Sequence, residues 1–138
     1  MLDPVHEECG IAAAYLMNVG AVSPETLDLC PTAAGANVAP LLPRMLLDLQ
    51  NRGQLAAGIS SVDPLRSRII ETYKGIGPVN EVFRMNHPPK HQEIMAGCSG
   101  RAAIGHVRYA TCGEDDVTCA QPFERSHGRK WKWYAFCF

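Results

Sequence analysis

The sequence predicts an α+β domain, because one chain contains both strand-like and helix-like segments. Of its 138 residues, 46% are hydrophobic and 20% are charged, a composition typical of globular domains. An apolar run at residues 9–19 and two segments on either side of Asp63-Pro64 predict strands, whereas residues 41–50 carry leucines at helical spacing. A chain of this length can bury roughly two thirds of its unfolded surface, which is enough for one hydrophobic core.

The first 40 residues contain a strand signal and a helix start signal. Residues 9–19 are apolar nearly throughout, which predicts a strand buried on both faces. Ser23 followed by Pro24 is typical of a helix N-terminus, so we expect a short helix there. Residues 31–40 are rich in Pro, Gly and small side chains, which predicts a loop.

Residues 41–50 predict a helix packed on the core. Its expected apolar stripe consists of Leu42, Met45, Leu46 and Leu49. Gly53 stands where a helix C-terminus commonly has a glycine.

The remaining segments have mixed signals. Residues 86–100 contain two prolines and no clear period, and they are assigned no element. The other assignments are strands at 56–63 and 66–75, a short helix at 79–85, a strand at 101–110, an irregular loop at 111–123 and a final strand near 130–138. The last strand alternates Lys and Trp and then becomes apolar on both faces, so we expect it to enter a core.

Charge and composition exclude several classes of function. The formal net charge is −1 and the basic residues are scattered apart from one late cluster, HGRKWK, so nucleic acid is not an expected partner. The first eight residues have no apolar core of a secretory signal, and no run reaches the ~18 apolar residues of a membrane span. We therefore expect a cytoplasmic protein with no membrane partner, whose six cysteines are reduced thiols.

Three separate motifs carry a resemblance to a known family. The stretches CGIAA, LQNRGQLAAGI and GHVRYATCG, the last followed by AQPF, resemble the N-terminal signatures of class II glutamine amidotransferases, in the form found in amidophosphoribosyltransferases. The resemblance implies the N-terminal-nucleophile hydrolase fold, an αββα four-layer sandwich of antiparallel sheets, here incomplete at its C-terminus. It also implies hydrolysis of glutamine to glutamate and ammonia, for the first step of purine nucleotide synthesis.

Cys9 is the candidate nucleophile of this chemistry. A thiol has a pKa of about 8.5 and an α-amine one of about 7.7–8.0, so an N-terminal cysteine carries its own general base. Glutamine would form a γ-glutamyl thioester on the sulfur. Because Cys9 is internal, the scheme requires cleavage after Glu8, which makes residues 1–8 a candidate prosegment and residues 9–138 a partial amidotransferase domain. From the residue alone, a small buried thiol at a strand start is the alternative.

The resemblance implies a glutamine site built around GHVRYATCG. Arg108 matches the family arginine that holds the α-carboxylate of glutamine, and a planar guanidinium suits that role; a surface ion pair is the alternative. Tyr109 and Thr111 fall at positions that line the site, and Gly10 leaves room for backbone to approach the reacting carbon. His106 is expected to be a core histidine or one that supports the site without touching glutamine, since the mechanism does not need it.

The second motif implies a bracing segment. Arg52, Gly53 and Gln54 match the RGQ sequence that braces the active-site loop in the family. Two neighbours depart from the usual pattern: Asn51 stands where histidine is common, and Leu55 where an acidic residue is common. We expect the second change to alter loop bracing, because it removes a charge.

Several parts of the family's full-length proteins are expected to lie beyond this chain. They include the Asn-Gly-Asn oxyanion segment after the last strand, and loss of one oxyanion donor costs ~2.7–4 kcal/mol of transition-state stabilisation. The isolated chain is thus expected to be weak or inactive. We expect no cofactor in this segment, since magnesium and, in some members, an iron–sulfur cluster belong to the absent part. Phosphoribosyl pyrophosphate would bind there too, in a homo-oligomer.

Three alternatives remain open. A zinc site is a competitor, but Cys98, Cys112 and Cys119 lack the paired short spacing of such sites, and no CxxC or HExxH occurs, so we expect no metal. A non-catalytic glutamine-binding module would keep the pocket without turnover. A glutaminase domain of a glucosamine-phosphate, asparagine or glutamate synthase is the third, although Tyr109 favours the amidophosphoribosyl type.

Overall fold

The computed structural model describes residues 8–17, 37–109, 116–127 and 132–136. In chain order the strands are β1 (Gly10–Tyr15), β2 (Ala56–Val62), β3 (Ile70–Ile76), β4 (Ala102–Arg108), β5 (Phe123–His127) and β6 (Lys132–Phe136). The helices are α1 (Leu41–Asp48), α2 (Val79–Val82) and α3 (Pro88–Gly97). Short 3₁₀ turns cover Gln50–Arg52 and Val117–Cys119. The helix predicted after Ser23 lies outside the described residues.

The first four strands form one antiparallel sheet in the order β1-β4-β2-β3. Gly10 pairs with Val107, and Ala56 pairs with Arg108 on the other side of β4. The start of β1, the end of β4 and the start of β2 therefore meet at one end of the sheet. Strands β5 and β6 form a separate antiparallel pair.

The helices cover one face of the four-stranded sheet. The fully buried side chains there include Leu42 and Leu46 of α1, Ile59 of β2, Phe83 after α2 and Val107 of β4. Burying a large apolar side chain of this kind contributes about 1.5–3 kcal/mol. This core fixes the sheet against the helices.

On the other face of the sheet, the segment that leads into β5 covers part of β2 and β3. Lys74 on β3 donates to the carbonyl oxygens of Ala120, at 2.6 Å, and Pro122, at 3.4 Å. Gly58 on β2 packs directly against the Gln121 carbonyl, where a side chain would collide with it. The second strand pair thus approaches the sheet from the side opposite the helices.

Several predicted elements are confirmed, with shifted ends. Strands occur within 56–63, 101–110 and 130–138, β3 overlaps 66–75 and ends one residue later, and a short helix occurs within 79–85. The helix within 41–50 is also present, although Met45 is 37% exposed while Leu42, Pro43 and Leu46 are buried. The buried stripe therefore lies toward the Pro43 side of the helix, opposite the flank that carries Met45.

The prediction that residues 9–19 form a strand buried on both faces is wrong. Strand β1 ends at Tyr15 and alternates in burial, with Ile11 49% and Tyr15 72% exposed. The reason is its position: β1 is an outer strand of the four-stranded sheet, and its second face is open in the described structure. Apolar composition did not distinguish these two faces.

Helix α3 was missed because little of it is buried. Only Met95 is buried along its length, so the sequence has no apolar period. Two prolines in the first turn are compatible with a helix start, where backbone N–H groups have no partner within the helix. His87 caps this end by accepting from the Lys90 N–H. No helix among the described residues has the length and apolar character that a membrane crossing requires.

Candidate active site

The candidate nucleophile lies beside the end of β4. Gly10 pairs with Val107, so the antiparallel register brings Cys9 level with Arg108. The Cys9 thiol donates to the Tyr109 carbonyl oxygen, with 3.8 Å between sulfur and oxygen. Cys9 is half-buried and its thiol is free. The first and third sequence motifs are therefore adjacent in space.

The RGQ motif crosses the same end of the sheet. Arg52 donates from Nε to the Cys9 carbonyl oxygen at 3.4 Å, and its Nη2 lies 2.5 Å from Glu8 Oε2. Leu55 donates its N–H to the Arg108 carbonyl oxygen at 3.1 Å. All three motifs thus meet at one place.

Gly53 is required by close approach. A Cβ at this position would lie 2.5 Å from the Arg108 carbonyl carbon and 2.7 Å from the Tyr109 nitrogen. Its φ of −171° is extended and open to any residue, so space alone excludes a side chain. The prediction that Gly53 ends the preceding helix is wrong, because the helix ends at Asp48 and a 3₁₀ turn intervenes.

Gly10 has a packing role in the structure. A Cβ there would lie 2.8 Å from Val107 Cγ2 and 3.0 Å from Leu49 Cβ. These neighbours belong to β4 and to the end of α1, so the missing side chain lets α1 pack closely on the sheet. The structure therefore offers a different reason for this glycine than room for a reacting carbon.

Arg108 and His106 are buried on β4. Arg108 is 8% exposed and His106 is 0% exposed. This burial contradicts a surface ion pair for Arg108 and agrees with the core position predicted for His106. A buried guanidinium costs desolvation energy unless polar or anionic groups meet it.

The remaining candidates differ in exposure. Tyr109 is 36% exposed beside Arg108, which places it at the rim of the site. Gln54 is exposed next to Gly53, and Leu55 is half-buried. Thr111 lies outside the described residues.

Sequence reasoning missed Glu8 as a partner of Arg52. The acid directly before the candidate nucleophile was the available signal, but only the fold shows which cation meets it. Lys74, which donates hydrogen bonds to the segment before β5, was missed for the same reason. Burial, followed by the nearby charge of Arg125, lowers the pKa of the Lys74 ammonium.

The thiols differ in environment. Burial raises the pKa of the Cys98 thiol to about 11, with a smaller effect from the charge of Glu71. Cys98 is thus a poor nucleophile at neutral pH, whereas Cys9 is accessible. Within the described ranges, no group of three or more His, Cys, Asp or Glu side chains could hold a metal ion.

Comparisons with known proteins find relatives that cover most of this chain. The chain is 35% identical over 117 residues to amidophosphoribosyltransferase 1, chloroplastic, of Arabidopsis thaliana, covering 85% of this chain and 16% of that protein. It is 34% identical over 119 residues to the amidophosphoribosyltransferase of Methanothermobacter thermautotrophicus, covering 86% of this chain and 20% of that protein. The chain thus spans a fifth or less of the length of these curated relatives. No family model matches it.

Solved structures agree in fold. A glutamine phosphoribosylpyrophosphate amidotransferase from B. subtilis, complexed with ADP and GMP, matches with a TM-score of 0.53 and 30% identity, over 68% of this chain and 18% of that one. An allosteric regulatory enzyme of purine biosynthesis matches with a TM-score of 0.53 and 32% identity, over 67% of this chain and 18% of that one. The α+β fold with antiparallel sheets is therefore of the N-terminal-nucleophile type.

Proposed function

We propose that this chain, a homologue of the class II glutamine amidotransferase region of the amidophosphoribosyltransferases, hydrolyses glutamine with Cys9 as the nucleophile. One observation carries the proposal. Tyr109 and Arg52, which lie 100 and 43 residues from Cys9 in the sequence, both contact Cys9. The fold thus assembles a thiol, a buried arginine and a bracing segment from three distant motifs.

The reaction begins with the loss of residues 1–8, which frees the α-amine of Cys9. This amine takes the thiol proton, and the sulfur attacks the side-chain amide carbon of glutamine. The carbon–nitrogen bond then breaks, ammonia leaves with a proton from the amine, and a γ-glutamyl thioester remains. Water hydrolyses the thioester, releasing glutamate and restoring the thiol.

Arg108 binds the α-carboxylate of glutamine in this proposal. Its burial supports the role, because charge-assisted hydrogen bonds are stronger where water is excluded. Tyr109 and Thr111 line the site, while Arg52, Gly53 and Gln54 hold the loop that crosses it. Gly10 sets the spacing between β1 and α1.

The fate of the ammonia belongs to the same proposal. Relatives named amidophosphoribosyltransferase support transfer to phosphoribosyl pyrophosphate, and thus a part in purine nucleotide synthesis. We place that substrate, magnesium and any iron–sulfur cluster in a further domain of a cytoplasmic homo-oligomer. A glucosamine-phosphate, asparagine or glutamate synthase is the alternative acceptor system.

An electrophilic glutamine analogue tests the nucleophile. The chain is produced with residues 1–8 replaced by a tag, which an added protease removes to leave Cys9 first. Incubation with 6-diazo-5-oxo-L-norleucine should give one adduct at Cys9 by mass spectrometry, and excess glutamine should prevent it. Cys9→Ala should lose the adduct, whereas the control Cys98→Ala keeps it. An adduct retained in Cys9→Ala would contradict the proposal.

Arg108→Lys tests the carboxylate site. Lysine keeps the charge but loses the two parallel hydrogen bonds, so we expect about ten-fold more glutamine to be needed for protection of Cys9 from the analogue. The rate of labelling by iodoacetamide, which has no carboxylate, serves as the control and should stay unchanged. If the same glutamine concentration protects Cys9 in Arg108→Lys and in the unmodified chain, this role of Arg108 is contradicted.

A non-catalytic glutamine-binding module is the second candidate. In such a module the chain stays uncut, the Glu8–Arg52 contact persists and the Cys9 nitrogen remains in its peptide bond. This alternative predicts glutamine binding by calorimetry in the uncut chain and no adduct after the tag is removed. The labelling experiment therefore distinguishes the two functions.

A further inference from the structure

The structure assigns a positioning role to Arg52: we propose that it holds the side chain of Glu8 and so orients the Glu8–Cys9 peptide bond for cleavage. The acidic residue before Cys9 would then specify where the chain is cut. This inference rests on the proposed function, in which Cys9 becomes the first residue. It adds the group that recognises the cleavage site.

The Arg52 guanidinium contacts the residues on both sides of the Glu8–Cys9 peptide bond. Arg52 Nη2 lies 2.5 Å from Glu8 Oε2, before the bond, and Nε lies 3.4 Å from the Cys9 carbonyl oxygen, after it. A planar guanidinium holds its donors in fixed directions, so two contacts restrict the peptide between them. A lysine could not make both contacts with the same geometry.

The backbone that carries Arg52 is held on both sides. Before it, the Gln50 side-chain oxygen accepts from the Val79 N–H at 2.8 Å. After it, Gly53 packs on the backbone of Arg108 and Tyr109, with no space for a side chain. Arg52 therefore extends from a fixed base toward the residues that flank the bond.

The contact between Arg52 and Glu8 is better suited to orienting the peptide bond than to stabilising the fold. The side chains of Arg52 and Glu8 are 45% and 65% exposed, and exposed ion pairs contribute little to folding free energy. Orientation is more demanding, because a misplacement of about 1 Å can slow a reaction about 100-fold. The expected effect is thus on the rate of cleavage.

Cleavage also ends the contact. Hydrolysis consumes one water: the bond between the Glu8 carbonyl carbon and the Cys9 nitrogen breaks, and the carbon gains oxygen as a carboxylate. The nitrogen takes one proton of the water and becomes the α-amine of Cys9, and the other proton passes to the solvent. Glu8 then leaves with the prosegment, and the Arg52 guanidinium remains beside Cys9.

A double-mutant cycle in the 138-residue chain tests the inference. Intact mass spectrometry follows the loss of residues 1–8 in the unmodified chain, Arg52→Gln, Glu8→Gln and the double variant. We expect each single variant to release residues 1–8 about ten-fold more slowly than the unmodified chain. The double variant should be no slower than either single variant, because both changes remove the same contact. The matched controls Glu7→Gln and Arg44→Gln, with the same charge changes, should match the unmodified chain.

The salt dependence of the release rate is a second measurement, and a purely structural role of Arg52 would not change it. About 1 M NaCl screens exposed charges, so it should slow release from the unmodified chain and leave both single variants unchanged. Equal rates in the unmodified chain and in Glu8→Gln, or additive effects in the double variant, would overturn the inference. Retention of residues 1–8 by the unmodified chain would overturn it too.

The proposed function fails under a different result. A chain whose tag is removed to leave Cys9 first contains no Glu8, so its labelling by the glutamine analogue is independent of the Glu8 contact. Labelling of that chain together with unslowed release in Glu8→Gln would overturn the role of Arg52 alone. Absence of labelling would overturn the proposed function.

Discussion

At the scale of single residues, Gly53 shows how a backbone contact constrains the site. The RGQ segment lies against the Arg108–Tyr109 backbone at distances that exclude any Cβ. Backbone atoms cannot move away as the end of a flexible side chain can. The glycine therefore maintains the distance between the bracing segment and the arginine strand.

Gly53→Ala should destabilise the fold and displace the site. Overpacking of this kind costs about 1–3 kcal/mol, so we expect the free energy of unfolding to fall by that amount. Urea denaturation measures the change. Gly97→Ala is the matched control, because a Cβ there meets no atom within 4 Å and alanine favours helix, so stability should stay equal or rise by up to about 1 kcal/mol. Equal stability of Gly53→Ala and the unmodified chain would show that the contact between Gly53 and the Arg108–Tyr109 backbone has room for a methyl group.

Cys98 predicts a pH dependence of stability. Burial raises its pKa from 9.0 to about 11, so the unfolded chain loses the thiol proton first as the pH rises. The protonated thiol's stabilising contribution is complete below pH 9 and is lost between pH 9 and 11, by at most roughly 3 kcal/mol.

The measurement compares the unmodified chain with Cys98→Ala. Urea denaturation from about pH 8 to pH 10.5 gives both free energies, and their difference should shrink with rising pH. The cavity left by alanine shifts the variant by a constant and does not alter this slope. A pH-independent difference would contradict the raised pKa.

At the scale of secondary-structure elements, α3 depends on an arginine from a neighbouring loop. Arg66 donates to the carbonyl oxygens of Gly97 at 2.6 Å and Ala96 at 3.1 Å, and to Ser99 Oγ at 2.8 Å. A cation at a helix C-terminus interacts favourably with the helix dipole and with the last carbonyls. Polar contacts thus add to the buried Met95 and Cys98 in fixing this end of the helix.

Arg66→Gln should loosen the end of α3. We expect a loss of about 1–2 kcal/mol of unfolding free energy and faster amide hydrogen exchange in the last turn. Arg44→Gln, an exposed change on α1, is the control and should alter neither quantity. Unchanged exchange in Arg66→Gln would show that the packing of Met95 alone holds the helix.

At the scale of the whole molecule, Lys74 joins the sheet to the segment that precedes β5. Lys74→Met keeps the aliphatic stem but leaves the Ala120 and Pro122 carbonyls without this donor. We expect faster hydrogen exchange of the backbone amides of β5 and β6, with little change in β1 and β4. Lys90→Met, on the exposed side of α3, is the control. Uniform acceleration over all strands would indicate global destabilisation instead.

Much of this architecture was predictable from local patterns. Strands β2 and β4 and helix α1 were predictable from their apolar residues, because each buries several side chains in the core. Strand β3 was predictable from its composition, although most of it is only half-buried. Helix α3 was not predictable, since its ends are held by His87 and Arg66 rather than by an apolar stripe. The two faces of β1 could not be distinguished either, because their burial depends on which strands lie beside it.

The sequence alone indicates which chemistry to expect. Through the resemblance of its three motifs, it predicts a thiol nucleophile at Cys9 and a carboxylate-binding arginine at Arg108. Only the tertiary structure decided which groups meet: Cys9 with Tyr109, Arg52 with Glu8, and Gly53 with the backbone of β4. The physical reason is that side-chain chemistry is local, whereas antiparallel register and close packing bring together residues far apart in the chain.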